Sequence, residues 1–270
     1  MIGAILAFAA AAISYRYQLL TPAGAVLAFF VGWLIFEWGR FSYSLPLVGF
    51  FITSNILSRV GRTRKLANIT IEKTGQRDYL QVLANGSIPT LLVVAWHLSQ
   101  DFVYNYLYLT AVASATADTW ATEMGLLSKR PPRSILTLKK VAAGSSGGVS
   151  VRGTCAASVG AFLIAAMGLF VLSAEQGLAF RWSALVTLMF AALLSECFDS
   201  VLGACCQVKY RCSGCGTLTE KRAHCAGHDT TLYSGFAWMT NDTVNFLAIL
   251  AGVLVAWLGL HLFILARVEA

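Results

Sequence analysis

The chain has 270 residues, of which 57% are hydrophobic and 12% charged, with a mean hydropathy of +0.67. A soluble domain carries about 25% charged residues, so an ordinary soluble enzyme or nucleic-acid binder is excluded, and the chain is too apolar to stay disordered. The formal charge of +7 therefore indicates basic loops facing anionic headgroups and cytoplasm, not a DNA-binding surface.

A spanning helix needs about 20 apolar residues. In chain order the uncharged runs are Met1–Tyr15, Tyr17–Phe36, Phe41–Ser58, Tyr79–Gln100, Phe102–Ala117, Ala156–Ala174, Trp182–Ser195 and Val244–Ala266. They predict an all-α, polytopic bundle of about eight membrane segments, some short or broken. The opening run lacks the basic n-region of a signal peptide and is taken as a helix. Two runs end against acids, Asp118 and Glu196, and both helices are expected to continue through them.

Most of the 20 basic residues crowd three loops: Arg59 to Arg77, Lys129 to Lys140, and Lys209 to Arg222. Two helices separate each loop from the next, so all three fall on one side. The positive-inside rule makes that side cytoplasmic, with both termini outside. The expected organisation is one membrane domain, 1–270, with cytoplasmic loops 58–78 and 129–148 and a Cys/His-containing loop 207–235.

Glu72 and Asp78 sit in the first basic loop, and Glu220 and Asp229 in the third. Asp101, Glu175 and Glu269 lie at outer helix ends. Glu37, Asp118, Glu123, Glu196, Asp199 and Asp242 are left in or beside apolar runs. An ionised carboxylate at the bilayer centre costs about 2.5–3.5 kcal/mol, so several together must line a hydrated cavity or hold cations. Asp118 and Glu123 flank Trp120; Glu196 and Asp199 stand at i, i+3; Asp242 and Asn245 share that spacing, with Asn241 beside them. All fall at the inner ends of their helices, and hard oxygen donors of this kind suit Mg²⁺.

Between the first two clusters, Lys139 and Lys140 lead into Gly144-Ser145-Ser146-Gly147-Gly148, followed by Ser150, Arg152, Gly153 and Thr154 at the start of a helix. Glycine backbone and a helix N-terminus favour an anion, and Lys140 and Arg152 would add counter-charge. The alternative is a small-residue stretch that lets helices pack closely. No G-x-x-x-x-G-K-[ST] occurs, which excludes a P-loop kinase. Cys212, Cys215, Cys225 and His228 have knuckle-like spacing for Zn²⁺, provided a reducing compartment keeps the thiols free. His97 and His261 stand alone in apolar helices.

Ala117-Asp118-Thr119-Trp120-Ala121-Thr122-Glu123-Met124-Gly125, Gly147-Gly148-Val149-Ser150-x-x-Gly153-Thr154, Asp199-Ser200-Val201-Leu202-Gly203-Ala204 and Asn241-Asp242-x-Val244-Asn245-Phe246 together resemble an integral membrane family. It holds the plant phytyl-phosphate kinase of the vitamin E pathway and the animal transmembrane protein nineteen. The resemblance covers about Gln18 to Leu265. The Tyr210-Arg211-Cys212-x-x-Cys215 insert is similar to the prokaryotic branch, as is the lack of a transit peptide before Met1, and implies a prokaryotic inner membrane. More distantly, Asp118-x-x-Ala121-Thr122-x-x-Gly125 and Gly153-Thr154-x-Ala156 resemble phytol and dolichol kinases, which use CTP with a divalent metal.

The resemblance implies a membrane-embedded kinase that phosphorylates an isoprenyl monophosphate from CTP. The expected metal ligands are Asp118, Glu196, Asp199 and Asp242. Asp118, Glu123, Asp199, Lys140 and Asn241 are the expected catalytic residues. Lys139, Lys140, the Gly144–Gly148 turn, Ser150, Arg152, Gly153, Thr154 and Asn245 are expected to hold nucleotide and acceptor phosphate. A transporter or flippase of phosphorylated lipids, and a CTP-using nucleotidyltransferase, are the alternatives.

Overall fold

In the computed structural model the described residues are 1–61, 63, 65, 75–177, 180–225 and 227–268. Arg62, Arg64, Glu72 and Lys73 of the first basic loop lie outside them. Eight helices are described: α1 (Ile2–Arg16), α2 (Pro22–Trp38), α3 (Arg40–Arg59), α4 (Tyr79–Ser99), α5 (Val103–Gly125), α6 (Val151–Gln176), α7 (Trp182–Cys205) and α8 (Asn241–Val268).

Local chemistry sets several helix boundaries. Thr21 accepts the Gly24 N–H at 3.1 Å, with Pro22 in the first helical position. Asp78 accepts from Gln81 and Ser150 from Gly153 in the same way. Gly177, at φ 63°, ends α6 in the left-handed conformation that costs glycine nothing. As expected, α5 and α7 run on through Asp118 and Glu196, to Gly125 and Cys205.

Helices α3, α4, α6, α7 and α8 are each long and apolar enough to cross a membrane, while α1 and α2 have 15 and 17 residues. Phe8, Phe30, Phe162, Phe170, Val186, Phe190 and Leu254 are exposed on the helices, as a lipid-facing surface requires. Helix α5 is different. Its 23 residues reach roughly 35 Å, yet it carries Asn105, Thr110, Ser114 and Thr116, and every residue from Leu107 to Ala117 is buried. Sheathed by neighbouring helices, it can hold polar groups that lipid would reject.

Contacts fix the two ends of the bundle. At one end the N-terminal amine pairs with Glu37, the Ser42 N–H donates to Glu175 at 3.0 Å, and Tyr43 donates to Asn105. At the other, Leu20 bridges to Arg77, Lys65 pairs with Glu123, and Arg152 donates to the Leu127 carbonyl. The chain therefore alternates direction, and the connections that carry the three basic loops share this second end.

Two small sheets stand at that end, where the sequence predicted loops. Strands β1 (Arg133–Ser134) and β2 (Gly148–Val149) close the α5–α6 connection. Strands β3 (Lys209–Cys212), β4 (Leu218–Thr219), β5 (Ala223–His224) and β6 (His228–Ser234) form a sheet in the order β4-β3-β6-β5 between α7 and α8.

The helices that end at the sheets meet closely. A Cβ on Gly252 of α8 would lie 2.8 Å from both Ser114 Oγ of α5 and Ser195 Cβ of α7. Ser195 also donates to the Ala248 carbonyl at 2.7 Å, tying α7 to α8. Gly252→Leu should overpack this junction at a cost of about 1–3 kcal/mol, seen as a lower thermal midpoint in detergent. An unchanged midpoint would contradict the packing.

Candidate functional site

One turn beyond the Gly252 junction, α5 and α7 present their acids. Asp118 and Asp199 each follow a junction serine, Ser114 and Ser195, by four residues, so they project from the same helix faces. Asp118, Glu196 and Asp199 line a cleft of about 130 Å³, far above the ~10–15 Å³ of a single water site. The charge of Glu196 acts on Asp118, and those of Asp118, Glu196 and Glu220 all act on Asp199.

The opposite wall is the Gly/Ser turn. Gly144, Ser145, Ser146, Gly147 and Gly148 all line the cleft, with Ser150, Gly153 and Thr154 from the start of α6. Gly147 sits at φ 76°, and a Cβ there would lie 2.4 Å from Ala204 Cβ and 2.7 Å from the Ser200 carbonyl. Only glycine lets this backbone press against α7. A Cβ on Gly153 would come within 2.8 Å of the Ala121 carbonyl, which holds α6 tight to α5.

From α8, Asn241 lines the cleft. With its amide turned to satisfy both neighbours, Asn245 donates to Asp199 Oδ2 at 3.1 Å and to the Asn241 carbonyl at 3.0 Å. It steadies Asp199 from behind.

Asn245 and five other expected residues lie outside this wall. Glu123 is five positions past Asp118, about 140° around the helix, and pairs instead with buried Lys65 at 2.5 Å. The wall follows Asp118, Ala121, Thr122 and Gly125, the face that a 3.6-residue period selects. Asp242 is buried but does not line the cleft; from α8 Asn241 lines it, and Asn245, four residues on, reaches Asp199. Lys139 and Lys140 are exposed in a tight hairpin where Ser134 donates to the Lys139 carbonyl at 2.9 Å and Lys140 bridges to Arg133. Arg152 reaches the Leu127 carbonyl at 3.0 Å. The counter-charge expected from Lys and Arg is not delivered to the cleft.

The structure adds residues that the motifs left unassigned. Glu220, just after β4, lines the cleft and accepts the Ser146 hydroxyl; beside Lys221 and Arg222, nothing in the sequence distinguishes it from a solvated acid. Ser200 and Gln207 also line the cleft. Ser200 lies within the Asp199 motif, whereas Gln207 carries no sequence signal.

In the second sheet, Cys212, Cys215 and Cys225 come together as their spacing predicts. Their fourth partner is His224, not the expected His228. The His228 ring packs instead on Gly214, where a Cβ would lie 2.8 Å from it. Hydrogen bonding from Thr217 lowers the Cys215 thiol to about 6, and the Cys215 sulfur beside it raises the Cys225 thiol to about 11.

Met1 pairs with Glu37 and Lys65 with Glu123, both away from the cleft, and among the described residues no Lys or Arg lines it. Such a wall can hold a divalent cation through hard oxygens.

The family model described as integral membrane protein DUF92 matches residues 5–253. The chain is 33% identical over 259 residues to Protein PGR of Arabidopsis thaliana, covering 88% of each protein. It is 34% identical over 156 residues to an uncharacterized membrane protein of Methanocaldococcus jannaschii, covering 57% of this chain and 63% of that one. With the chloroplastic Protein VTE6 of Arabidopsis thaliana it shares 24% identity over 243 residues, covering 88% of this chain and 64% of that one. No solved structure matches.

Because Lys65 is buried, removing its partner leaves an uncompensated charge, costing on the order of 3 kcal/mol. Glu123→Gln should therefore lower the thermal midpoint while leaving the cleft's chemistry in place. A midpoint equal to wild type would contradict the structural role given to Glu123.

Proposed function

Because the chain belongs to the DUF92 family of integral membrane proteins, we propose that it is a membrane-embedded phosphotransferase. It moves the γ-phosphoryl group of a nucleoside triphosphate, CTP by the resemblance of its motifs, onto an isoprenyl monophosphate. One observation carries this proposal: Asp118, Glu196, Asp199 and Glu220 share a cleft with the Gly144–Gly148 turn and the start of α6.

Four carboxylates facing a glycine turn would repel a triphosphate unless divalent cations stood between them. The donor set fits Mg²⁺, with Asp118, Asp199 and Glu196 as the residues that would hold it. When bound, the ion neutralises phosphate charge that builds up during transfer.

The chain's own residues do the remaining work. The backbone of the Gly144–Gly148 turn admits phosphate oxygens closely because no side chain stands in the way. The N-terminus of α6, with Gly153 and Thr154 in the wall, adds the favourable field of a helix start. Asn245 holds Asp199 in orientation, and Asn241 is placed to orient the acceptor. An oxygen of the acceptor monophosphate attacks the γ-phosphorus, the bond to the β-bridging oxygen breaks, and CDP leaves. That acceptor is already an anion, so no strong general base is required; positioning and charge neutralisation dominate. The isoprenyl tail would stay in lipid; the excess of Lys and Arg in the three loops supports a cytoplasmic side for this end, and the resemblance of the motifs supports a prokaryotic inner membrane.

A transporter would need polar access from both faces. The unbroken burial of α5 from Leu107 to Ala117 does not favour one.

The test is purified protein in detergent with γ-labelled CTP, Mg²⁺ and a panel of isoprenyl monophosphates. Labelled diphosphate lipid and CDP are expected, and Asp118→Asn should reduce turnover at least about a thousandfold, more than 4 kcal/mol of barrier, while staying folded. Pyrophosphate release in place of CDP would instead identify a nucleotidyltransferase. Full activity of Asp118→Asn would remove the acidic cleft from the reaction.

A further inference from the structure

The chemistry of the cleft makes no use of the cysteines in the second sheet. Two hairpins of that sheet bring them together from separate turns. In the first, the Cys212 N–H donates to the Thr217 carbonyl at 3.0 Å, and the Gly216 N–H returns to the Cys212 carbonyl at 2.9 Å. Gly216, at φ 70°, reverses the chain just after Cys215. In the second, β5 and β6 pair His224 with His228, and the intervening turn carries Cys225.

The donor atoms of Cys212, Cys215, His224 and Cys225 all lie within 4.8 Å of one another. His224 Nδ1 is 3.4 Å from Cys215 Sγ and 3.1 Å from Cys225 Sγ. A tetrahedral centre with ordinary Zn–S and Zn–N bonds separates sulfur from nitrogen by about 3.6 Å and sulfur from sulfur by about 3.8 Å. The four atoms thus already approximate the corners of a zinc tetrahedron. Three soft sulfurs and one imidazole nitrogen suit zinc and do not suit Mg²⁺ or Ca²⁺. All three cysteines are free, and as three thiols they could not all pair among themselves.

We infer that Cys212, Cys215, His224 and Cys225 form a structural Cys₃His zinc site that staples the two hairpins to each other. The consequence reaches the cleft. Glu220 lies between the two hairpins, directly after β4, and accepts the Ser146 hydroxyl of the glycine turn. Fixing both hairpins fixes the segment that carries Glu220 against the cleft mouth. The zinc site stands on its own donor geometry and holds whatever reaction the cleft performs.

The test uses the full chain, purified in detergent under reducing conditions from zinc-replete cells. Elemental analysis should find one zinc per chain. Exchange with Co²⁺ should give a thiolate-to-cobalt charge-transfer band. His224→Ala and Cys215→Ser should each lose the stoichiometric zinc, whereas His228→Ala should retain it. Should the variants fail to fold, the zinc content and cobalt spectrum of the wild-type chain decide the matter alone. Background zinc with no charge-transfer band, a disulfide among Cys212, Cys215 and Cys225, or zinc lost on His228→Ala but kept on His224→Ala would each overturn the assignment.

Discussion

Carboxylates repel one another, and two at 4 Å cost about 4 kcal/mol at an effective dielectric of 20. This protein nevertheless gathers Asp118 from α5, Glu196 and Asp199 from α7 and Glu220 from the small sheet around one cleft. No basic side chain among the described residues shares that wall. In the function proposed here a divalent cation, suited to hard carboxylate oxygens, is the partner that would relieve the repulsion. The proposed function follows from this constraint.

The rest of the architecture serves to hold that convergence. Gly252 lets α8 approach where Ser114 and Ser195 meet, so α5 and α7 present their acids together one turn further on. Gly153 brings α6 against the Ala121 carbonyl, and Gly147 seats the glycine turn on α7. A Cβ at any of these positions would push apart elements whose spacing sets the cleft. Burial of α5 among its neighbours shields polar groups that could not face hydrocarbon. The two sheets then close the same end, one within the α5–α6 connection and one between α7 and α8.

Much of this was legible in the sequence because charge is costly in apolar runs. Asp118, Glu196 and Asp199 stood out for that reason, and the Gly144–Gly148 segment by its composition. What the sequence left open was direction. Glu123 looked like a partner of Asp118 but lies five residues on, and helical geometry turns it to Lys65. Asp242 draws attention by its charge, yet from α8 it is Asn241 that lines the cleft and Asn245 that bonds to Asp199. Lys140 and Arg152 flank the glycine turn in sequence, but a hairpin and the Leu127 carbonyl take them away from it. Glu220 was hidden among neighbouring lysine and arginine. The second sheet went unseen because two of its strands have only two residues and β6 is mostly exposed; neither leaves a hydrophobic period. The same hairpin exchanged His228 for His224 in the cysteine cluster.

Titration of the detergent-solubilised chain with Mn²⁺, followed by loss of the free-ion paramagnetic resonance signal, reads out the cation directly, without substrate. Saturable binding displaced by Mg²⁺ is expected in wild type, and it should be absent from a folded Asp118→Asn/Asp199→Asn double variant. Equal Mn²⁺ uptake by both proteins, or none by either, would mean that the gathered carboxylates do not serve a metal.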